Sequence, residues 1–256
     1  MPATHTGDRV TRGFTRAGKG LDYYDGVSIG ADAIGALATS QATQDRVSRL
    51  LETLEADDYT TYVTDFIARG RELAGSAYRF ADITTVLCAA SELLHPRSYL
   101  EIGVRRGRSM RIVSGVAPDC AIVGIDMWIA EYAGMENPGP GYVESEMRKA
   151  GPTGPLELIT GNSHKAVPEL YADRPDLTFD LITVDGDHSR RGAIKDLRTV
   201  LPRLRVGGVL VFDDVRHPAH PELHDVWEST VAADRRYATW RYDDTGYGVA
   251  LAVRRW

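Results

Sequence analysis

The sequence predicts a doubly wound α/β domain: a mostly parallel seven-stranded sheet of Rossmann-like type, preceded by a helical segment. Three observations predict it. After Pro96, short β-type runs ("SYLEIGV", "AIVGIDM", "LELIT", "FDLITVDG", "GGVLVFDD") alternate with helical ones ("RSMRIVSGV", "SHKAVPELY", "RRGAIKDLRTVLPRL"). The β-type runs are apolar throughout, as strands covered on both faces by helices are. The C-terminal "YATWRYDDTGYGVALAVRRW" holds two further strands joined through "DDTG", a hairpin signal.

The chain divides into three parts on this reading. Residues 1–42, rich in Gly, Thr and Arg without periodicity in the first 30 or so positions, read as a loosely ordered arm. Residues 43–95 are helical and form a cap or dimerisation segment. Val47, Leu50, Leu51 and Leu54 make one apolar stripe, and "YVTDFIARGRELAG" and "ITTVLCAASELL" follow in the same style. Residues 96–256 form the α/β domain.

Bulk properties exclude several classes. The net charge of −6 gives no general nucleic-acid footprint. No apolar run approaches the ~20 residues of a membrane span, and "MPATHTGDRVTRGFTRAGKG" lacks the apolar stretch of a secretory leader. Cys88 and Cys120 lie in apolar segments and read as small core residues. A cytoplasmic enzyme is expected, working as a homo-oligomer (dimer or higher) on a small molecule, with neither membrane nor nucleic acid as partner.

Ligands of such sheets bind outside the carboxyl ends of the strands. The first strand ends in "YLEIGVRRGRS", with Glu101, Gly103, Gly107 and Ser109 around a turn that opens a helix. The dinucleotide fingerprint G-x-G-x-x-G is absent, because Arg105 stands where the second glycine belongs. That argues against a nicotinamide-dependent oxidoreductase, the rival enzyme class. The second strand ends at Asp126 and Met127, and an acid there is placed to accept from both ribose hydroxyls or else to cap the next turn. After the third strand comes "TGNSHKAVPEL", where Asn162, Ser163 and His164 face an adenine edge, or Ser163 caps the helix.

Together, "YLEIGVRRGRS", Asp126 and "GNSHKAVPEL" resemble the class I S-adenosylmethionine-dependent methyltransferases. The resemblance implies that the glycine turn faces the methionine part, Asp126 holds the ribose, and the residues after strand three hold the adenine. It covers roughly residues 97–256.

The fourth and fifth strands end in acid. "VDGDHS" carries Asp185 and Asp187, and 28 residues beyond Asp185 "FDD" carries Asp213 and Asp214. At about 4 Å and an effective dielectric near 20, each like-charge pair costs roughly 4 kcal/mol unless a cation lies between them. These motifs resemble the metal-dependent O-methyltransferases of the catechol and caffeoyl-coenzyme A type and the sugar O-methyltransferases of antibiotic biosynthesis. The resemblance implies Asp185, Asp213 and Asp214 as ligands of Mg2+ or another divalent cation, with Asp185 also beside the donor. His188 stands where that family has a lysine. The expected chemistry is methylation of a small-molecule hydroxyl, with a sugar or natural-product acceptor preferred. His188 is the general base and Asp187 its orienting partner; the variant reading drops the metal and leaves His188 as sole base.

Three further features are read with it. His217, His220 and His224 in "DDVRHPAHPELHDVW" are loop residues near the substrate entrance rather than zinc or iron ligands. The long segment after Asp126, with Trp128, Tyr132 and Met135, suits a lid. Arg105, Arg106, Arg108 and Arg111 read as a basic stripe, a solvated face or one from which an arginine meets an anionic group.

Overall fold

A computed structural model describes residues 27–131 and 134–256. Seven strands form one sheet: β1 (Ser98–Ile102), β2 (Ala121–Asp126), β3 (Leu156–Thr160), β4 (Phe179–Val184), β5 (Leu204–Asp213), β6 (Tyr237–Tyr242) and β7 (Val249–Arg254). Their order is β3-β2-β1-β4-β5-β7-β6. The first five run parallel, while β7 pairs antiparallel to both β5 and β6. The chain therefore reverses direction across the sheet at β1/β4, where the turns after both strands leave on the same edge.

Alternation along the strands builds two cores. Tyr99, Ile122, Leu181, Val211 and Leu251 face one side. There they meet α1 (Ala31–Ala38), α2 (Gln41–Leu51), α3 (Asp58–Ala74), α4 (Ile83–Leu94), α5 (Arg108–Val116) and α6 (Pro140–Ala150). Leu100, Ile125, Ile182, Leu210 and Phe212 face the other side, covered by α7 (Ser163–Asp173), α8 (Arg190–Val200) and α9 (Glu222–Trp227). Cys88 and Cys120 are free and buried in the first core, in line with the reading from sequence. No helix among the described residues is long and apolar enough to cross a membrane.

Helices start where polar side chains cap them. Ser40 accepts from Thr43 N, Asp57 from Thr60 N, and Asp82 forms a full capping box with Thr85. Among the described residues helical structure thus begins at Ala31, inside the segment read as an arm; residues 1–26 of that arm lie outside the described residues. The reason is tertiary. The short "ADAIGALA" helix buries Ile34 and Ala38, and Gly35 lets it lie directly on the indole of Trp240 in β6. Eight residues carry too little periodicity to announce a helix without the surface they pack on.

The solvated reading of the basic stripe is also corrected. Arg106 and Arg111 are only 6 % and 8 % exposed. Arg106 pairs with Glu136 (2.6 Å) and lies over the Tyr142 ring, and Arg108 pairs with Asp57 at 2.7 Å. The guanidinium groups hold the N-terminal helices and the segment after β2 against the sheet. A one-dimensional pattern of arginines does not reveal acids that arrive from elsewhere in the chain.

Candidate active site

The carboxyl ends of β1 to β5 open into one cavity of about 750 Å3. Two contacts fix its floor. Gly103, at φ +88°, lies so close to the turn after β4 that a Cβ there would sit 1.8 Å from the Asp185 carbonyl oxygen. Asp185 N in turn donates to Ile102 O at 2.9 Å. Only glycine permits this approach, so the turn after β1 and the turn that carries Asp185 are packed backbone to backbone.

At the donor end, Glu101, Gly103, Ser109 and Asp126 line the cavity, with Met127 at its rim. Asn162 and Ser163 line it from the turn after β3. Glu101 is 1 % exposed, and its Oε2 has no hydrogen-bond partner. Burial, then the neighbouring Asp185 charge, hold its carboxyl well above the usual range. A buried carboxyl oxygen without a partner, facing a cavity, asks for a polar ligand. Asp126 Oδ2 accepts from Val104 N and Arg105 N (2.8 and 2.9 Å), and Oδ1 accepts from Trp128 N at 2.6 Å. Asp126 thus caps the following turn and also lines the cavity.

Three expectations about this end change. Asn162, not Ser163, caps α7, accepting from His164 N at 2.9 Å; Ser163 is the first helical residue. His164 and Gly107 do not line the cavity. The His164 ring turns toward α8, and Gly107, at φ +76°, packs on Val143 where it opens α5.

At the acid end, Asp185, His188 and Asp214 place one ligand atom each within 4.8 Å of one another. His188 Nε2 lies 3.3 Å from Asp185 Oδ1 and 3.6 Å from Asp214 Oδ2. Burial pulls the imidazole pKa down, but the hydrogen bond and charge of Asp185, with Asp214 and Asp187 behind it, raise it overall. Asp214, at φ +60°, is pushed up to about 7 by burial and by the Asp185 charge. Asp213 stands outside the tight triad but lines the same cavity, and burial with the charges of Asp214, Asp185 and Asp82 holds its carboxyl far above normal. Oxygen donors crowded enough to resist ionisation fit a hard divalent cation.

Asp187 departs from its expected place. Its Oδ1 accepts from Ser189 N (2.9 Å), and its carboxylate lies over Gly192 and toward His164, with no hydrogen bond to His188. The geometry that orients His188 comes from Asp185 and Asp214. The i, i+1 spacing of Asp187 and His188 made them look like partners, but the turn sends the two side chains to different sides.

His217 and His220 line the cavity, with the His220 ring 5.0 Å from both His188 and His217. His224 instead sits on α9 and accepts from Arg241 Nη1 at 2.9 Å. Trp128, Ile129 and Met135 belong to the segment read as a lid. Ile129 and Met135 line the cavity as partly exposed apolar groups, and Tyr132 lies outside the described residues. Tyr59 and Asp82 were not foreseen: the N-terminal helices carry both into the cavity wall. Arg108 stacks 4.6 Å from the Tyr59 ring centre. The double acid of "EADDYTT" was the available signal, since it marks the helix start that delivers Tyr59.

Residues 100–215, from β1 to just past Asp214, match the family described as a methyltransferase domain. No curated protein matches the chain in sequence. Among solved structures, the chain is similar to the O-methyltransferase TomG from Streptomyces achromogenes, involved in tomaymycin synthesis and solved with S-adenosylmethionine. Identity is 22 %, over 79 % of this chain and 92 % of that one, with a TM-score of 0.55. An O-methyltransferase from Bacillus cereus in complex with S-adenosylhomocysteine is 17 % identical over 84 % and 98 %, TM-score 0.55. CalS11, a calicheamicin methyltransferase, is 19 % identical over 94 % and 99 %, TM-score 0.52. Residues 100–215 thus match a methyltransferase-domain family, and the chain has the fold of the solved O-methyltransferases it is similar to.

Proposed function

We propose that the protein transfers the methyl group of S-adenosylmethionine to a hydroxyl of a small molecule, with a divalent cation, Mg2+ first, held among Asp185, Asp213 and Asp214. A sugar or another natural-product intermediate is the preferred acceptor, in keeping with TomG's involvement in tomaymycin synthesis and with CalS11 as a calicheamicin methyltransferase. The observation that carries the reading is the shared cavity: an unpartnered buried Glu101 and a ribose-type acid at one end, repelling acids with His188 at the other.

In this reading the glycine turn and Asp126 hold the donor, and Asn162 and Ser163 border its base. When bound, the cation lowers the pKa of an acceptor hydroxyl and offsets the charge of the acids. His188 Nε2 takes the hydroxyl proton, while the acceptor oxygen forms the new bond to the methyl carbon. The carbon–sulfur bond breaks, and sulfur keeps the electron pair. Ile129, Met135 and Tyr59 exclude water from the line of attack.

A metal-free variant, with His188 as sole base, is favoured by one observation: His188 Nε2 already bridges Asp185 and Asp214. Calorimetric titration of S-adenosylhomocysteine tests the donor site. Binding is expected, and Asp126→Ala is expected to weaken it by about a hundredfold, the loss of two charge-assisted hydrogen bonds. An absence of binding would sink the reading. Turnover that survives a chelator would select the metal-free variant.

A further inference from the structure

Asp196 is a buried carboxyl that this chemistry leaves unused. It sits on the inner face of α8 beside Ala193, Leu197 and Val200, only 1 % exposed. An apolar side chain would pack there without the desolvation that a carboxylate suffers.

Its neighbours come from two separate strand ends. The Ser163 hydroxyl and the His164 ring come from the first turn of α7, directly after β3; the Asp187 backbone N–H belongs to the turn after β4. His164 Nε2 lies 3.5 Å from Asp196 Oδ1 and 3.7 Å from Asp187 Oδ2, within reach of the Gly192 carbonyl at 3.3 Å. Gly192 is what lets Asp187 lie on α8, since a Cβ there would be 2.0 Å from Asp187 Cγ. Asp196 Oδ2 has no hydrogen-bond partner, and it would lie 3.6 Å from a Cβ on Gly186. One carboxylate thus lies near Gly186, next to Asp185 in the chain, and beside the Ser163 hydroxyl and the His164 ring.

We propose that Asp196 is a positioning residue that ties the donor-binding turn to the cation-binding turn, so that each ligand strengthens the binding of the other. Resting on the two sites proposed above, the coupling has a simple physical origin. A donor that fixes Ser163 fixes one side of the carboxylate. The Asp187 N–H, and with it Asp185 two residues earlier, then has less freedom left to lose when the cation arrives.

The test is calorimetry on the full chain after chelator treatment, titrating S-adenosylhomocysteine with and without saturating MgCl2. In the wild type, Mg2+ is expected to tighten binding about tenfold, a typical coupling. In Asp196→Asn each ligand still binds alone, and the ratio falls to within about twofold. Ser163→Ala also lowers the ratio, and carries the test if Asp196→Asn does not fold. Any direct loss of donor affinity cancels in that ratio, which a merely structural role for Asp196 would leave unmoved. A wild-type ratio preserved in both variants overturns the proposal. So does a wild type that binds both ligands independently, which leaves the methyltransferase reading standing. A wild type that binds no S-adenosylhomocysteine under either condition removes that reading, and the coupling with it.

Discussion

The two ends of the cavity are built on opposite electrostatic principles. At the donor end the groups that shape the site, Glu101 Oε2 apart, are already satisfied: Asp126 accepts backbone N–H groups from Val104, Arg105 and Trp128, and Asn162 caps α7. At the acid end Asp185, Asp213 and Asp214 repel one another, and the nearest positive group is the His188 imidazole. The first end is preorganised and ready for a ligand. The second is strained until a proton or a cation relieves it, and the strain itself selects for positive charge.

The sharpest way to break this contrast is to neutralise one acid. Asp214→Asn is expected to lower turnover by about a thousandfold, the upper range for removing one preorganised electrostatic group. In the same variant the metal-free protein should melt higher than wild type, because a repulsion is gone. Saturating Mg2+ should lose most of the roughly 2.7 kcal/mol of stabilisation that a ligand at a hundred times its Kd provides. Scanning calorimetry with and without Mg2+ reads both effects, and an unchanged Mg2+ shift would count against these acids as ligands.

Gly103→Ala attacks the seam between the two ends. A Cβ at φ +88°, 1.8 Å from the Asp185 carbonyl, forces backbone apart. Strain and overpacking together should cost about 3 kcal/mol. The melting temperature should fall by roughly 10 °C for a chain of this size. Affinity for S-adenosylhomocysteine and for Mg2+ should fall together, since the alanine displaces both turns.

The smallest effect is the pH dependence of the metal-free protein. Asp214 moves up to about 7 on folding and Asp213 well above normal, while an unfolded aspartate titrates near 3.9. Between those values the folded state holds more protons than the unfolded one, so stability falls as pH rises through that window. His188, also raised, acts in the same direction. The gap in melting temperature between Mg2+-loaded and chelated protein should therefore widen from about pH 5 to pH 8. A gap independent of pH would show that these carboxyls titrate normally.

Periodicity and strand-end chemistry were legible in the sequence because they are local. Apolar runs of strand length, helix stripes such as Val47 to Leu54, and acids at the ends of "FDLITVDG" and "GGVLVFDD" all follow from side-chain spacing. The tertiary structure decided what spacing cannot carry. It brought Tyr59 and Asp82 from the N-terminal helices into the cavity wall, and paired Arg106 and Arg108 with Asp57 from 49 and 51 residues away. It made "ADAIGALA" a helix by giving it Trp240 to lie on, and turned Asp187 from His188 toward His164 and α8. A sequence fixes which side chains a turn offers. Which of them meet depends on the close approach of separate turns, here the glycine contact between Gly103 and Asp185, and that exists only once the sheet is assembled.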